Sequence, residues 1–96
     1  MKFTWDENKK NKVLSDHKIG FNEIFDIFED VFSLDVIDKK HSKPGEERFR
    51  IVGMTSKYGL VHLVYIMPSD EEIRFITARK AEKFYVKQYE ENLRRS

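Results

Sequence analysis

The segment Ile73-Arg74-Phe75-Ile76-Thr77-Ala78-Arg79-Lys80-Ala81 brings two arginines and a lysine to the place where a strand is expected to hand over to a helix. Guanidinium groups stay charged and grip phosphate in a bidentate fork, and a helix N-terminus adds backbone N–H donors. Such a cluster suits recognition of an anion and stabilisation of charge that builds on phosphoryl oxygens. The plainer reading pairs Arg74 and Arg79 with carboxylates on acidic helices, and composition alone does not separate the two.

Other chemistry is sparse. The three histidines, His17, His41 and His62, fall on a helix end, a loop and a strand, without the close spacing of a zinc site, so no metal is expected. His41 lies in the basic loop Lys39-Lys40-His41-Ser42-Lys43, where simple solvation competes with reaching a phosphate. His62 sits among apolar strand neighbours, where a hydrogen-bonded structural imidazole is the ordinary outcome and a general base the sharper one. Asp35, Asp38, Glu46 and Glu47 are read as solubilising strand flanks. Tyr65 or Tyr85 would need a strongly lowered pKa to act as a base, so no base is evident. With no cysteine there is no thiol nucleophile or disulfide framework, and no cofactor is expected.

The elements that must position these groups follow from periodicity. Lys2 to Trp5 reads as a short strand, and Asp6 as the N-cap of a helix over Glu7 to His17. Phe21, Ile24, Phe25, Phe28 and Val31 predict a second, acidic amphipathic helix. Four strands are expected at Leu34–Ile37, Arg48–Met54, Leu60–Met67 and Glu72–Ala78, joined by turn-rich links that favour an antiparallel meander. Leu60–Met67, almost continuously apolar, reads as the central strand. In the last strand Ile73, Phe75 and Thr77 are expected on one face and Arg74, Ile76 and Ala78 on the other. A final helix is expected from about Lys80 to Arg94, with Ala81, Phe84, Tyr85, Tyr89 and Leu93 as its apolar stripe. The whole is one α+β domain over residues 1–96: a small, mainly antiparallel sheet with two N-terminal helices and one C-terminal helix.

Net charge is only +1, but it is unevenly placed. Residues 1–47 hold 8 Lys/Arg against 11 Asp/Glu, and residues 48–96 hold 10 against 6, so an anionic substrate belongs with the second half. No run approaches the length of a membrane span and no signal peptide is evident, which makes the cytoplasm the expected location.

Phe3-Thr4-Trp5-Asp6, Lys9, His17, Phe21-Asn22-Glu23, Gly45-Glu46-Glu47-Arg48-Phe49, Tyr65 and Ile73 through Ala81 together resemble the BrnT toxin family, in order and over nearly the whole chain. The resemblance implies a RelE-like fold and a metal-independent ribonuclease that cleaves RNA and inhibits translation. It also implies a BrnA-like ribbon-helix-helix antitoxin, through which alone operator DNA would be contacted. A homodimer or a toxin–antitoxin heterotetramer would be the assembly. Carried over residue by residue, it matches Arg74, Arg79 and Lys80 to the basic strand-to-helix motif, Arg48 to the arginine opening the second sheet strand and Tyr89 to the aromatic of the last helix. With the reading of the residues, Arg74, Arg79 and Lys80 are expected to be catalytic and Arg48, His62, Tyr65 and Tyr89 substrate-binding. The chain departs from the family pattern at Val13, at Lys18 where glycine commonly follows the histidine, at Tyr85 where an acidic residue is frequent, and across Ile66-Met67-Pro68. These departures leave room for a weakened or retuned enzyme.

The alternative from another class is a non-catalytic protein- or RNA-binding module that uses the same basic face. A regulator that binds DNA alone is disfavoured, because no helix-turn-helix or concentrated basic helix is present.

Overall fold

The computed structural model describes residues 1–96. Its elements are β1 (Lys2–Trp5), α1 (Glu7–His17), two 3₁₀ turns (Phe21–Glu23 and Phe25–Glu29), β2 (Leu34–Lys43), β3 (Glu46–Thr55), β4 (Gly59–Ser69), β5 (Glu72–Lys80) and α2 (Lys83–Arg94). One five-stranded sheet has the order β1-β5-β4-β3-β2, with β4 central as its apolar run requires. No helix is long and apolar enough to cross a membrane.

Two expectations about the fold are corrected. The sheet is mixed, not mainly antiparallel: β2 to β5 form the meander, but β1 pairs with β5 in parallel, with Phe3 opposite Ile73 and Trp5 opposite Phe75. The parallel pair is joined by a long connection: α1 and the following turns cross to β2 at the opposite edge, and the meander leads back to β5. The second N-terminal helix does not form either; its place is taken by the two 3₁₀ turns, leaving α1 as the one N-terminal α-helix. Phe21, Ile24 and Ile27 are fully buried at a spacing of three, the period of a 3₁₀ helix rather than an α-helix. Asp26 and Asp30 hold this segment flat on the sheet by accepting hydrogen bonds from the backbone N–H groups of Ser56 and Met54, each at 2.8 Å. Tertiary contacts thus override the helical pattern.

The α1 helix is capped as its sequence suggests, Asp6 accepting from the N–H groups of Asn8 at 2.7 Å and Lys9 at 3.2 Å. It ends at Lys18, whose φ of 60° and ψ of 32° are left-handed. The core lies between the sheet and this N-terminal segment. Phe75 is its hub, its ring centroid 5.5–6.2 Å from those of Phe3, Trp5, Phe21, Phe25 and Phe28.

Phe75 and Ala78 are both fully buried, although strict alternation would send them to opposite faces. The ladder explains this: Tyr65 pairs with Phe75 but its neighbour Val64 pairs with Thr77, so Ile76 is an extra, bulged residue. The expected alternation through Thr77, Ile76 and Ala78 is therefore reversed beyond Phe75. Thr77 and Arg79 point away from the core.

Two stability tests follow. At Lys18 a glycine removes the left-handed penalty, so Lys18→Gly is expected to stabilise the fold by about 1 kcal/mol, read as a rise of about 4–8 °C in melting temperature. Gly53 lies under the second 3₁₀ turn, where an added Cβ would meet Ile27 Cγ1 at 2.9 Å and the Ile27 carbonyl oxygen at 3.3 Å. Gly53→Ala is expected to destabilise by about 1–3 kcal/mol in urea unfolding.

Candidate functional site

The face of the sheet opposite the core is polar at its centre. Arg48, Arg50, His62, Val64, Thr77 and Arg79 share it by register: His62 pairs with Arg79, Val64 with Arg50 and Thr77, and Ile66 with Arg48. Asp38 and His41 of β2 and Glu82 and Tyr85 at the start of α2 complete a cleft of about 390 Å³. A larger depression of about 510 Å³, between the hairpin tips, is lined by Glu47 and Asp70 with no cation, which does not suit an anionic ligand.

The three guanidiniums of the cleft differ in their partners. Arg50 is committed: its Nε and Nη2 donate to Asp38 Oδ2 at 3.1 and 3.0 Å, and its Nη1 donates to the Tyr85 hydroxyl. Asp38 is buried, which opposes ionisation, yet hydrogen bonds from His41 and Arg50 hold its carboxyl below the usual range. Arg48 and Arg79 take part in none of the chain's ion pairs. Arg48 Nε is buried with no hydrogen-bond partner, and Arg79 is exposed. A buried unmatched guanidinium N–H and an exposed guanidinium outside every ion pair thus line one cleft and leave donors free.

His62 is buried in the wall of the cleft, its ring centroid 4.8 Å from that of Tyr85 and its Nδ1 3.4 Å from Glu82 Oε1. Burial pushes its pKa down against the pull of Glu82, with Arg50 and Arg79 adding to the fall, so the imidazole is neutral at pH 7. Its Nε2 is buried without a partner.

The remaining expected site residues lie elsewhere. Arg74 is on the cleft face beyond Ile66, but it donates to Glu72 at 3.0 Å and to Thr4 at 3.4 Å and borders a separate depression. Lys80 pairs with Val61, a core residue, and so leaves the sheet on the opposite side. Tyr65 is a core residue whose hydroxyl donates to Asp35 at 2.8 Å; burial and that carboxylate raise its pKa strongly, which removes it as a base. Tyr89 donates to Asp30 at 2.6 Å and tethers α2 to the end of the second 3₁₀ turn, its pKa pushed up to about 12 by burial and by Asp30. Arg79 and Lys80 are strand residues, not helix-start residues, because α2 begins only at Lys83. The structure brings together Arg48, His62 and Arg79 and adds Asp38, His41, Arg50, Glu82 and Tyr85. Their long-range pairing carries no local sequence signal, save that His41 and Asp38 are close in the chain.

No three His, Asp or Glu side chains cluster as a metal site would require. The family model described as "Ribonuclease toxin, BrnT, of type II toxin-antitoxin system" matches residues 5–84, a span that includes every cleft residue except Tyr85. Among solved structures, the fold is similar to that of the Brucella abortus ribonuclease toxin BrnT, with a TM-score of 0.66 and 20% identity over 86% of this chain and 99% of that one. No curated protein sequence matches the chain.

The state of His62 makes a prediction about stability. Its folded pKa lies below the ordinary 6.5, so the unfolded chain takes up the proton first and stability is lost as pH falls below that value. His62→Gln is expected to make the unfolding free energy, measured in urea at several pH values, less steep between 6.5 and the carboxylate range near 4.5. An unchanged slope would mean that His62 is not the buried neutral group described.

Proposed function

Starting from a chain that belongs to the BrnT family of ribonuclease toxins of type II toxin–antitoxin systems, we propose that RNA is cleaved in the arginine-lined cleft by attack of a ribose 2′-oxygen on the adjacent phosphorus. The observation that carries this reading is the pair Arg48 and Arg79, the two cleft guanidiniums without a carboxylate. A phosphodiester between them would receive bidentate donors on its non-bridging oxygens. The charge that builds there as the phosphorus becomes five-coordinate is what such donors stabilise.

Attack by the 2′-oxygen and departure of the 5′-oxygen leave a 2′,3′-cyclic phosphate, and no step requires a metal ion. Arg74, on the same face and across β4 from Arg48, is placed to take a neighbouring phosphate in exchange for Glu72. Lys80, on the other side, adds only to the field. His62 and Tyr85 form a wall on which a base can rest.

Family membership implies an antitoxin; we assign it as a ribbon-helix-helix protein of the BrnA kind that neutralises the toxin and carries any contact with operator DNA. RNA cleavage in the cytoplasm would then inhibit translation.

Removing one of these cations from the reacting phosphate should lower the cleavage rate about 100- to 1,000-fold. Cleavage of total RNA in EDTA is therefore expected from the wild-type protein and to be nearly lost in Arg79→Ala and Arg48→Ala. Arg79→Lys should also be impaired, because an ammonium lacks the fork. Arg74→Ala should lose less than either. If purified wild type cuts no RNA, with or without ribosomes, a binding module with a toxin fold takes the place of this reading.

A further inference from the structure

His41 stands in the wall of the cleft in a specific relation to Asp38. Its Nδ1 is 2.8 Å from Asp38 Oδ2, and its backbone N–H donates to Asp38 Oδ1 at 3.3 Å. Asp38 is itself fixed by the two bonds from Arg50 and is 8% exposed, so it cannot turn away to solvent. The loop is held from the other side: the Ser42 hydroxyl donates to the Asp38 carbonyl at 2.7 Å and accepts from the Arg48 N–H at 2.9 Å. The shift of register between Asp38 and Lys43 is where the β2–β3 ladder opens to allow this.

A carboxylate that accepts from Nδ1 fixes the neutral ring as the Nδ1–H tautomer and leaves the Nε2 lone pair free. The His41 side chain is 55% exposed and lines the same cleft as Arg48 and Arg79. His62 differs: its Nε2 is buried, and its Nδ1 faces Glu82 Oε1 at 3.4 Å rather than a buried carboxylate.

We propose that His41 is the general base of the reaction and that Asp38 is its positioning residue. The inference rests on the reading of the cleft as a ribonuclease site. His41 Nε2 takes the proton of the ribose 2′-OH as the 2′-oxygen forms its bond to phosphorus. The bond from phosphorus to the 5′-oxygen breaks, and that oxygen leaves with the electron pair and takes a proton from water. The imidazolium then returns its proton to solvent, so the enzyme ends as it began. Arg48 and Arg79 carry the charge on the non-bridging oxygens meanwhile.

The test is the pH dependence of kcat/KM on a fluorescently labelled oligoribonucleotide for wild type, His41→Gln and Asp38→Asn. Besides Asp38, the charged or titratable groups around His41 are Arg48 and Arg50 on β3, His62 on β4, Arg79 on β5, Glu82 and Tyr85 at the start of α2, and Lys39, Lys40 and Lys43 on its own strand. A base predicts an acid limb in the wild-type profile. His41→Gln should lose about a hundredfold or more in rate, together with that limb. Its affinity for the same oligonucleotide carrying 2′-O-methyl groups, which cannot react, should be unchanged and reports that the cleft is intact. His41→Gly should be partly rescued by added imidazole, an effect that a purely structural histidine would not show. Asp38→Asn should lower kcat more than it changes KM. A wild type that cleaves while His41→Gln keeps its rate and acid limb overturns the inference and leaves the ribonuclease reading standing. A wild type that cleaves nothing overturns both.

Discussion

Ile76 is one residue more than the β4–β5 ladder can pair, and its accommodation as a bulge settles which face of the sheet receives Arg79. The constraint comes from the core. Phe75 must sit at the centre of the aromatic cluster that holds β1, α1 and the 3₁₀ turns in place, and Ala78 must fit beneath the same layer, both fully buried. With three steps between them, a regular strand cannot satisfy both, and the bulge inverts the alternation in between. Thr77 and Arg79 then join His62, Val64 and Arg50 on the far side. The packing of one face thus builds the cleft on the other.

That second face is kept open by a set of polar tethers. The α2 helix is secured at its far end, where Tyr89 donates to Asp30 and Asn92 donates to the Phe32 carbonyl at 2.8 Å, and at its near end by Tyr85 with Arg50. Between these points Tyr85 packs against His62, and the floor around Val64 and Thr77 stays accessible. Asp38 sits where these constraints cross, absorbing the charge of Arg50 and orienting His41. Had Asp38 paired with Arg48 instead, Arg50 rather than Arg48 would be left without a carboxylate. Which arginine is neutralised matters as much as how many are present.

The cleft therefore divides its charges by role. One guanidinium supports the architecture, two remain for an anion, one histidine is buried and neutral, and the other is exposed on a carboxylate. Electrostatic stabilisation in a preorganised, partly desolvated site suits a phosphoryl reaction in which the substrate carries its own nucleophile, the 2′-OH. The family model, a ribonuclease toxin, matches the chain from Trp5 to Phe84.

The amino-acid sequence by itself determined the family, the approximate place of each strand though not its extent, the Asp6 cap and α1, and the basic character of the second half. These are local or cumulative properties: alternation, capping and charge are written within a few residues or summed over many. It also pointed to Arg48, His62 and Arg79 among the residues that line the cleft. Tertiary structure decided the rest. The run from Phe21 to Val31 has a helical pattern, yet it lies flat as 3₁₀ turns because Asp26 and Asp30 bond to the β3–β4 region some thirty residues away, at Ser56 and Met54. Tyr65 and Tyr89 carry functional-looking hydroxyls that are taken by Asp35 and Asp30. The face of Arg79 turned on a bulge that no local propensity announces, and Asp38 bonds Arg50 diagonally across β2 and β3 although the ladder sets it opposite Arg48. Each depends on which residues meet across strands, and that information resides in the folded ladder rather than in any window of the chain.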